Sequence, residues 1–194
     1  ALLRANVAQH VSLAPAFGFG GVYPGSTMGA LALVRQSLYD ARWYAAAGAT
    51  QLPEASPALD ALGGVLAGRQ PLMLVADDEL DAARIAAVGR EFKVRTIVVG
   101  TGTEYRKADA LKGLDLVLPL NFPKAPTVND PAKALEVNLV DLEHWRYAPF
   151  NPKVLADAGV RFSLTARGLE KPEDFLPRVR TAVRHGLSPE AALA

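Results

Sequence analysis

The sequence has 194 residues, with 21 Lys and Arg against 20 Asp and Glu, and a formal net charge of +1. Hydrophobic residues make up 50% and charged residues 21%, which supplies a sizeable core and excludes wholesale disorder. The balanced charge argues against a nucleic-acid partner, which would require a concentrated basic patch. There is no cysteine and only three histidines, which excludes thiolate chemistry and makes histidine-based metal sites difficult. The length predicts a single domain over residues 1–194.

An uncharged run from Val11 to Val34 is long enough to raise the question of a membrane helix. The run contains two prolines and five glycines, which an isolated helix in lipid would not tolerate. We therefore expect a soluble protein without a membrane segment, in which this run forms a buried strand, a glycine-rich loop and the start of a helix.

The first part of the chain is predicted to form two helices after one strand. In chain order we expect a strand over Val7–Leu13 that contains His10, a loop over 15–25, a helix from Ser26 to Gly48 and a helix from Ser56 to Gly68. Serine is a favoured N-cap, proline suits the first helical turn, and glycine is a common helix stop.

The remainder repeats a unit of strand followed by helix. Strands are predicted over Leu72–Val75, Thr96–Val99, Leu116–Leu118 and Arg161–Thr165. The intervening helices are predicted with apolar positions at Leu80, Ile85, Val88 and Phe92, over Glu104–Lys112, over 141–159 with a break at Pro149, and over 172–186. Four prolines at 119, 123, 126 and 131 predict a long extended loop between the fourth strand and the next helix.

Alternating strands and helices predict an α/β fold with a parallel sheet and right-handed crossovers. The strands are continuous apolar runs, which is typical of strands buried on both faces. An open doubly wound sheet and a closed barrel both satisfy this pattern. At the end of the chain, Ser188, Pro189 and Glu190 start a helix that has room for about one and a half turns. We therefore expect the chain to be cut from a longer protein.

In parallel α/β sheets the functional site lies beyond the carboxyl ends of the strands. The candidate residues at these ends are Asp77, Asp78, Thr101, Glu104, Asn121 and Arg167. Asp77, Asp78 and the following Glu79 could supply oxygen ligands or a general base, but acids also favour a helix N-terminus, and we prefer that interpretation.

Two further strand ends carry weaker or more specific signals. The turn from Gly100 to Glu104 could hold a phosphate at a helix N-terminus. It lacks the third glycine of the dinucleotide-binding motif, so a tight turn is the favoured interpretation. Arg167 follows a predicted buried strand, where an arginine is suited to a carboxylate or phosphate partner.

The last predicted long helix carries several basic side chains, which indicate a solvated helix face. They are Arg178, Arg180, Arg184 and His185.

From Tyr23 onward, nearly the whole chain resembles the amidohydrolase superfamily, in particular the imidazolonepropionase-like amidohydrolases. The segments that carry the resemblance are YPGSTMGALALVRQSLYDARWY, ADDELDAARIAAVGREF, GTEYRKAD, PLNFPKAP, LEHWRYAPFNPKVLADAGVRFSLT and HGLSPEAALA. The resemblance implies a metal-dependent hydrolase-like TIM barrel of eight βα units, of which this chain would supply the last five strands.

The same resemblance implies hydrolysis of C–N bonds in cyclic amides or peptide-like substrates, with one or two divalent metals, typically zinc. The family's ligands are a His-x-His after the first strand, a bridging lysine or glutamate in some members, histidines at the fifth and sixth strands, and an aspartate after the eighth. The matching positions here hold Val75, Thr101 and Arg167, and no histidine lies between His10 and His144. These residues do not provide a standard metal site, so we expect no bound metal or other cofactor.

Three functional hypotheses follow from this departure. The first is an amidohydrolase-related protein with a degenerate metal site, which has lost standard hydrolysis or keeps a weak metal-independent activity. The second is a binding module that holds a small anionic or peptide-like ligand through Arg167 and Asn121. The third is an active metal-dependent hydrolase in which upstream residues, with Asp77 or Asp78, complete the metal site.

A partial barrel would also leave strand edges and apolar surface open. We therefore expect the chain to self-associate, to pair with the missing part of the barrel, or to rearrange into a more compact open sheet. Members of this family are often exported, and the sequence leaves the compartment of this chain open.

Overall fold

A computed structural model describes residues 6–14, 23–47 and 55–193. The described chain is α/β, with five parallel strands in the order β1-β2-β3-β4-β5, which confirms the predicted fold class. The strands are β1 (Gln9–Val11), β2 (Leu72–Val75), β3 (Thr96–Val99), β4 (Asp115–Pro119) and β5 (Arg161–Thr165).

Eight α-helices are described between and after these strands. They are α1 (Thr27–Ala47), α2 (Pro57–Leu66), α3 (Glu79–Phe92), α4 (Pro131–Glu136), α5 (Leu139–Tyr147), α6 (Asn151–Asp157), α7 (Phe175–Arg184) and α8 (Pro189–Leu193). Short 3₁₀ helices occupy Glu104–Arg106, Ala108–Leu111, Ala148–Phe150 and Pro172–Asp174. No helix in the described ranges is both long and apolar enough to cross a membrane.

Three of the five predicted strands, β2, β3 and β5, have the predicted first and last residues. The first strand is shorter than expected, at Gln9–Val11 instead of Val7–Leu13, and β4 is one residue longer at each end than Leu116–Leu118. The predicted serine caps are also present, since Ser26 Oγ accepts the Gly29 N–H at 3.1 Å and Ser56 Oγ accepts the Leu59 N–H at 3.4 Å.

The chain divides into two compact units, Ala1–Val98 and Val99–Ala194. In the first unit, the buried side chains of β2 are Leu72 and Leu74. Helices α1 and α3 of this unit contact each other at their surfaces. The Tyr39 ring meets the Phe92 ring edge-on at 4.8 Å, and Arg35 forms a 2.6 Å ion pair with Glu91.

The second unit is built around a cluster of buried apolar residues: Leu120, Phe122, Ala148, Ala182 and Leu187. Strand β5 turns Phe162 and Leu164 toward this cluster. Its alternate residues Arg161 and Ser163 are exposed. The expectation that the strands are buried on both faces is therefore wrong for β5.

Strands β4 and β5 are linked by a cross-strand ion pair. Asp115 and Arg161 are register partners, and Arg161 Nη2 lies 2.8 Å from Asp115 Oδ1. Directly opposed residues of opposite charge stabilise neighbouring strands modestly, so this pair adds a small contribution that favours the observed β4–β5 register.

Two predicted elements and one predicted core position are wrong. The segment Glu104–Lys112 forms two 3₁₀ helices, with i to i+3 bonds such as Lys107 N to Glu104 O at 3.0 Å. The extended loop ends earlier than expected, because Asp130 caps a short helix α4 that begins at Pro131. Leu80 was expected on the apolar face of α3 but is 44% exposed.

Some expectations lie outside what the structure tests. Gly48 and most of the loop over 15–25 fall outside the described residues. The single domain and the right-handed crossovers stay predictions.

Core packing in the second unit is open to a direct test. Leu118 in β4 is fully buried, whereas Leu135 in α4 is 90% exposed. Leu118→Ala should lower the free energy of unfolding by about 2–5 kcal/mol, because it leaves a cavity in a packed core. Leu135→Ala should change it by about 0.5 kcal/mol or less. Urea unfolding in a Trp43→Phe background, followed by Trp145 fluorescence, measures both. Equal transition midpoints would contradict the assigned core.

Candidate functional site

The loops that follow β3, β4 and β5 meet at Asn121. The Asn121 Nδ2 donates a hydrogen bond to the Thr101 carbonyl at 3.2 Å, across the loop after β3. A Cβ built on Gly168, in the loop after β5, would lie 3.4 Å from Asn121 Cβ. The structure therefore brings the predicted candidates Thr101 and Asn121 together, next to the segment that contains Arg167.

Glu104 holds the loop after β3 from inside. Its side chain belongs to a residue only 1% exposed, and the carboxylate accepts the Thr101 N–H at 2.6 Å and the Gly102 N–H at 3.1 Å. A third donor is the side chain of Asn151, whose Nδ2 lies 2.7 Å from Glu104 Oε2. These donors offset the cost of burying a carboxylate, so Glu104 has a structural role at this strand end.

The two glycines of this turn are required by the side chains packed against them. A Cβ on Gly100 would collide with Glu104 Oε1 and lie 2.8 Å from Glu104 Cδ. Gly102 has a φ of +100°, and a Cβ there would lie 2.8 Å from Asn121 Oδ1. The close approach that these glycines permit is used by protein side chains, in agreement with the tight-turn interpretation of the motif.

Asn151 is the residue that sequence reasoning missed. It is the first residue of α6, is 1% exposed, and comes 47 positions after the carboxylate it contacts. Its Oδ1 is buried and has no hydrogen-bond partner within the described part of the chain. A polar residue within the largely apolar stretch APFNP was the available signal.

In the first unit, the acidic residues after β2 cap helix α3. Asp78 Oδ1 accepts the Asp81 N–H at 2.7 Å. The Asp81 carboxylate in turn accepts the Asp77 N–H at 3.4 Å and pairs with Arg84 at 2.7 Å. This arrangement matches the helix-terminus interpretation of these acids. Val75, at the end of the same strand, is 38% exposed.

Arg167 lies exposed just beyond β5. Its backbone N–H donates to Thr165 Oγ1 at 3.2 Å, which turns the chain at the strand end. Thr101 Oγ1, in contrast, lies 2.7 Å from Thr103 Oγ1 in the loop held by Glu104.

A cavity of about 280 Å³ lies beside Asn121, and we call it the strand-end cleft. It is lined by Asn121, Phe122, Pro123, Lys124, Gly168, Leu169, Glu170, Asp174 and Arg178. At its rim, Lys124 Nζ donates to Glu170 Oε1 at 2.7 Å. This hydrogen bond and the Lys124 charge hold the pKa of Glu170 below its usual value, with a smaller contribution from the Arg178 charge.

Arg178 differs from its expected place on a solvated helix face. It is half-buried, its Nη1 donates to the Phe122 carbonyl at 3.2 Å, and its guanidinium lies 5.9 Å from the centroid of the Phe122 ring. Arg180 and Arg184 of the same helix are exposed, as expected.

Val75, Thr101 and Arg167, which the family resemblance compares with metal-ligand positions, are chemically unsuited to a divalent metal. Valine has no donor atom, the threonine hydroxyl is held by Thr103, and arginine carries a fixed positive charge. Within residues 6–14, 23–47 and 55–193, no group of three or more His, Asp or Glu side chains is arranged to hold a metal ion.

No family model matches the sequence, and no curated protein matches it. A solved structure described as an amidohydrolase from Thermotoga maritima MSB8 is similar in fold, with a TM-score of 0.63 and 18% sequence identity. The similarity covers 88% of this chain and 43% of that one, so the chain spans less than half the length of the amidohydrolase. At this level of identity the likeness establishes a shared fold.

The role of Glu104 predicts a difference between two substitutions. Glu104→Ala leaves the N–H groups of Thr101 and Gly102 and the Asn151 amide without their acceptor. Each buried unpaired donor costs about 1–3 kcal/mol, so the free energy of unfolding should fall by about 3 kcal/mol or more. Glu104→Gln should cost about 1 kcal/mol, because a flipped Asn151 amide can present its unpaired Oδ1 to the new Nε2 donor.

The matched control is Glu143→Ala, which removes an exposed glutamate from α5 and should change stability by about 0.5 kcal/mol or less. Urea unfolding followed by Trp145 fluorescence, again with Trp43→Phe, gives all three values. If Glu104→Ala were as stable as Glu143→Ala, the carboxylate would not be holding the loop.

Proposed function

We propose that this chain is a segment of an amidohydrolase-like (β/α)8 barrel with a degenerate metal site, and that it does not catalyse standard metal-dependent hydrolysis. The shared fold with the longer Thermotoga maritima amidohydrolase supports the barrel assignment. The one-sided burial of β5 supports it too, because the inner face of a barrel strand is covered by the rest of the barrel, whereas a doubly wound sheet has helices on both faces.

The observation that carries the proposal is the chemistry of three strand-end residues. By the family resemblance, Val75, Thr101 and Arg167 occupy positions of metal ligands. None can replace a histidine or an aspartate, and a guanidinium would repel a dication. The nearby acid Glu104 is committed to backbone donors and to Asn151, which leaves it unsuited to a compensating role.

The alternative of an active hydrolase depends on Asp77 or Asp78 as replacement ligands. Asp78 Oδ1 is the acceptor of the α3 cap, and the Asp77 backbone is tied to Asp81. Recruiting Asp78 to a metal would remove a helix cap that is typically worth about 1 kcal/mol. This cost is small beside the free energy of about 10–16 kcal/mol with which a structural zinc site binds its metal, so the hydrolase is less favoured chiefly because Val75, Thr101 and Arg167 supply no standard ligand.

A second candidate, binding of a small charged ligand at the strand ends, is favoured by the strand-end cleft. Lys124 and Arg178 both line it, and Asn121 fixes its position against the loop after β3. We therefore propose the strand-end cleft, instead of Arg167, as the binding site for an anionic or peptide-like ligand. The cleft has a defined volume and contains the half-buried Arg178.

We also propose that the chain self-associates or pairs with the remainder of a barrel, because a partial barrel leaves a strand edge open. Strand β5 exposes Arg161 and Ser163 on one face. Strand β5 also lies at the edge of the sheet, and an edge strand can pair with another chain or segment.

Zinc retention tests the degenerate-site proposal. The 194-residue chain is loaded with zinc and dialysed against a buffer that contains only traces of metal. Elemental analysis then measures the zinc that each chain retains. Zinc should fall far below one ion per chain, because a tight site needs three or four N, S or O ligands at about 2.0–2.3 Å.

The matched control is the variant His10→Gln, His144→Gln, His185→Gln, which removes chelation by histidine. If wild type and variant both retained one zinc per chain, the carboxylates would form a metal site and the hydrolase would become the preferred function.

A further inference from the structure

We propose that the strand-end cleft binds a small zwitterion that carries an ammonium group and a carboxylate, of about the size of a dipeptide. The inference rests on the proposed binding role of the strand ends and is independent of the metal argument. Four charged side chains that line one cavity indicate the class of ligand.

The charges of the cleft balance. Two cations, Lys124 and Arg178, and two acids, Glu170 and Asp174, line the same cavity of about 280 Å³. A simple anion would face two carboxylates, and a simple cation would face a guanidinium and an ammonium. A ligand with both charges can place each beside its opposite, which makes specificity a matter of charge complementarity.

The Arg178 guanidinium is preorganised to bind the carboxylate of the ligand. Its guanidinium is half-buried and held by the Phe122 carbonyl and ring, so little side-chain freedom remains to be lost on binding. Only Nη1 is used in that hydrogen bond. A guanidinium presents five N–H donors in a planar fork that matches a carboxylate, and the remaining donors are available to the ligand.

Asp174 is suited to receive the ammonium. It lies one helical turn before Arg178, at the residue that precedes α7, and it is half-buried. Within the described chain its carboxylate has no hydrogen bond or ion pair, unlike Glu170, which is held by Lys124. A half-buried carboxylate without a partner gains more from an incoming ammonium than one that is already paired.

The dimensions set the size of the ligand. A volume of about 280 Å³ lies just below the usual range of ligand pockets, about 300–1,000 Å³. Phe122 and Leu169 add an apolar surface to the lining, which suits the carbon skeleton between two charged ends. A dipeptide-sized zwitterion fits these limits, and a long peptide does not.

Three probes separate the contributions of the two charges. Glycylglycine carries both charges, N-acetylglycine carries only the carboxylate, and glycinamide carries only the ammonium. Titration calorimetry with the 194-residue chain should give glycylglycine a dissociation constant of about 1 mM or less, and each of the other probes a value at least about tenfold higher.

Two variants in the cleft and two control variants at neighbouring residues test whether the probes bind in the strand-end cleft. Arg178→Gln should weaken glycylglycine about tenfold and abolish its advantage over glycinamide, while Asp174→Asn should abolish its advantage over N-acetylglycine. The controls Arg180→Gln and Glu173→Gln change exposed residues outside the cleft and should bind like wild type.

The possible results bear separately on the two proposals. Absence of saturable glycylglycine binding, equal affinity for all three probes, or an equal loss in Arg180→Gln and Arg178→Gln would overturn the zwitterion site. Zinc retention by the histidine-free variant would instead overturn the degenerate metal site and leave this inference unaffected.

Discussion

A single buried carboxylate organises the strand ends of the second unit. Glu104 is 1% exposed, and an ion in that position is tolerated only where donors replace water. The N–H groups of Thr101 and Gly102 and the amide of Asn151 supply them. Through these hydrogen bonds Glu104 fixes the turn after β3 and links that turn to the first residue of helix α6, which is distant in sequence.

The strand-end cleft depends on that turn through a series of contacts. Thr101, held by Glu104, offers its carbonyl to Asn121, and the next residue, Phe122, accepts a hydrogen bond from Arg178 and supports its guanidinium. The buried Glu104 carboxylate is thus linked, through Thr101 and Asn121, to residues that line the cleft.

The sequence predicted what local pattern determines and missed what distant contacts determine. Strands β2 and β3 were located to the residue, because short apolar, β-branched runs between breakers have few alternatives. Glu104–Lys112 was predicted as a helix from its composition, but its first residue is held by Asn151, 47 positions away. Arg178 was placed on a solvated face because no local signal indicates the Phe122 contact, which spans 56 positions.

Hydrogen exchange at two amides tests the central claim most directly. If the Glu104 carboxylate accepts the N–H groups of Thr101 and Gly102, both amides should exchange slowly in the native protein, although they belong to a turn. In Glu104→Ala the same two amides should lose their protection, while the Leu118 amide in β4 should stay protected, reduced only by the lower global stability of the variant. Exchange of Thr101 and Gly102 in the wild-type chain at the rate of an unstructured peptide would contradict the account.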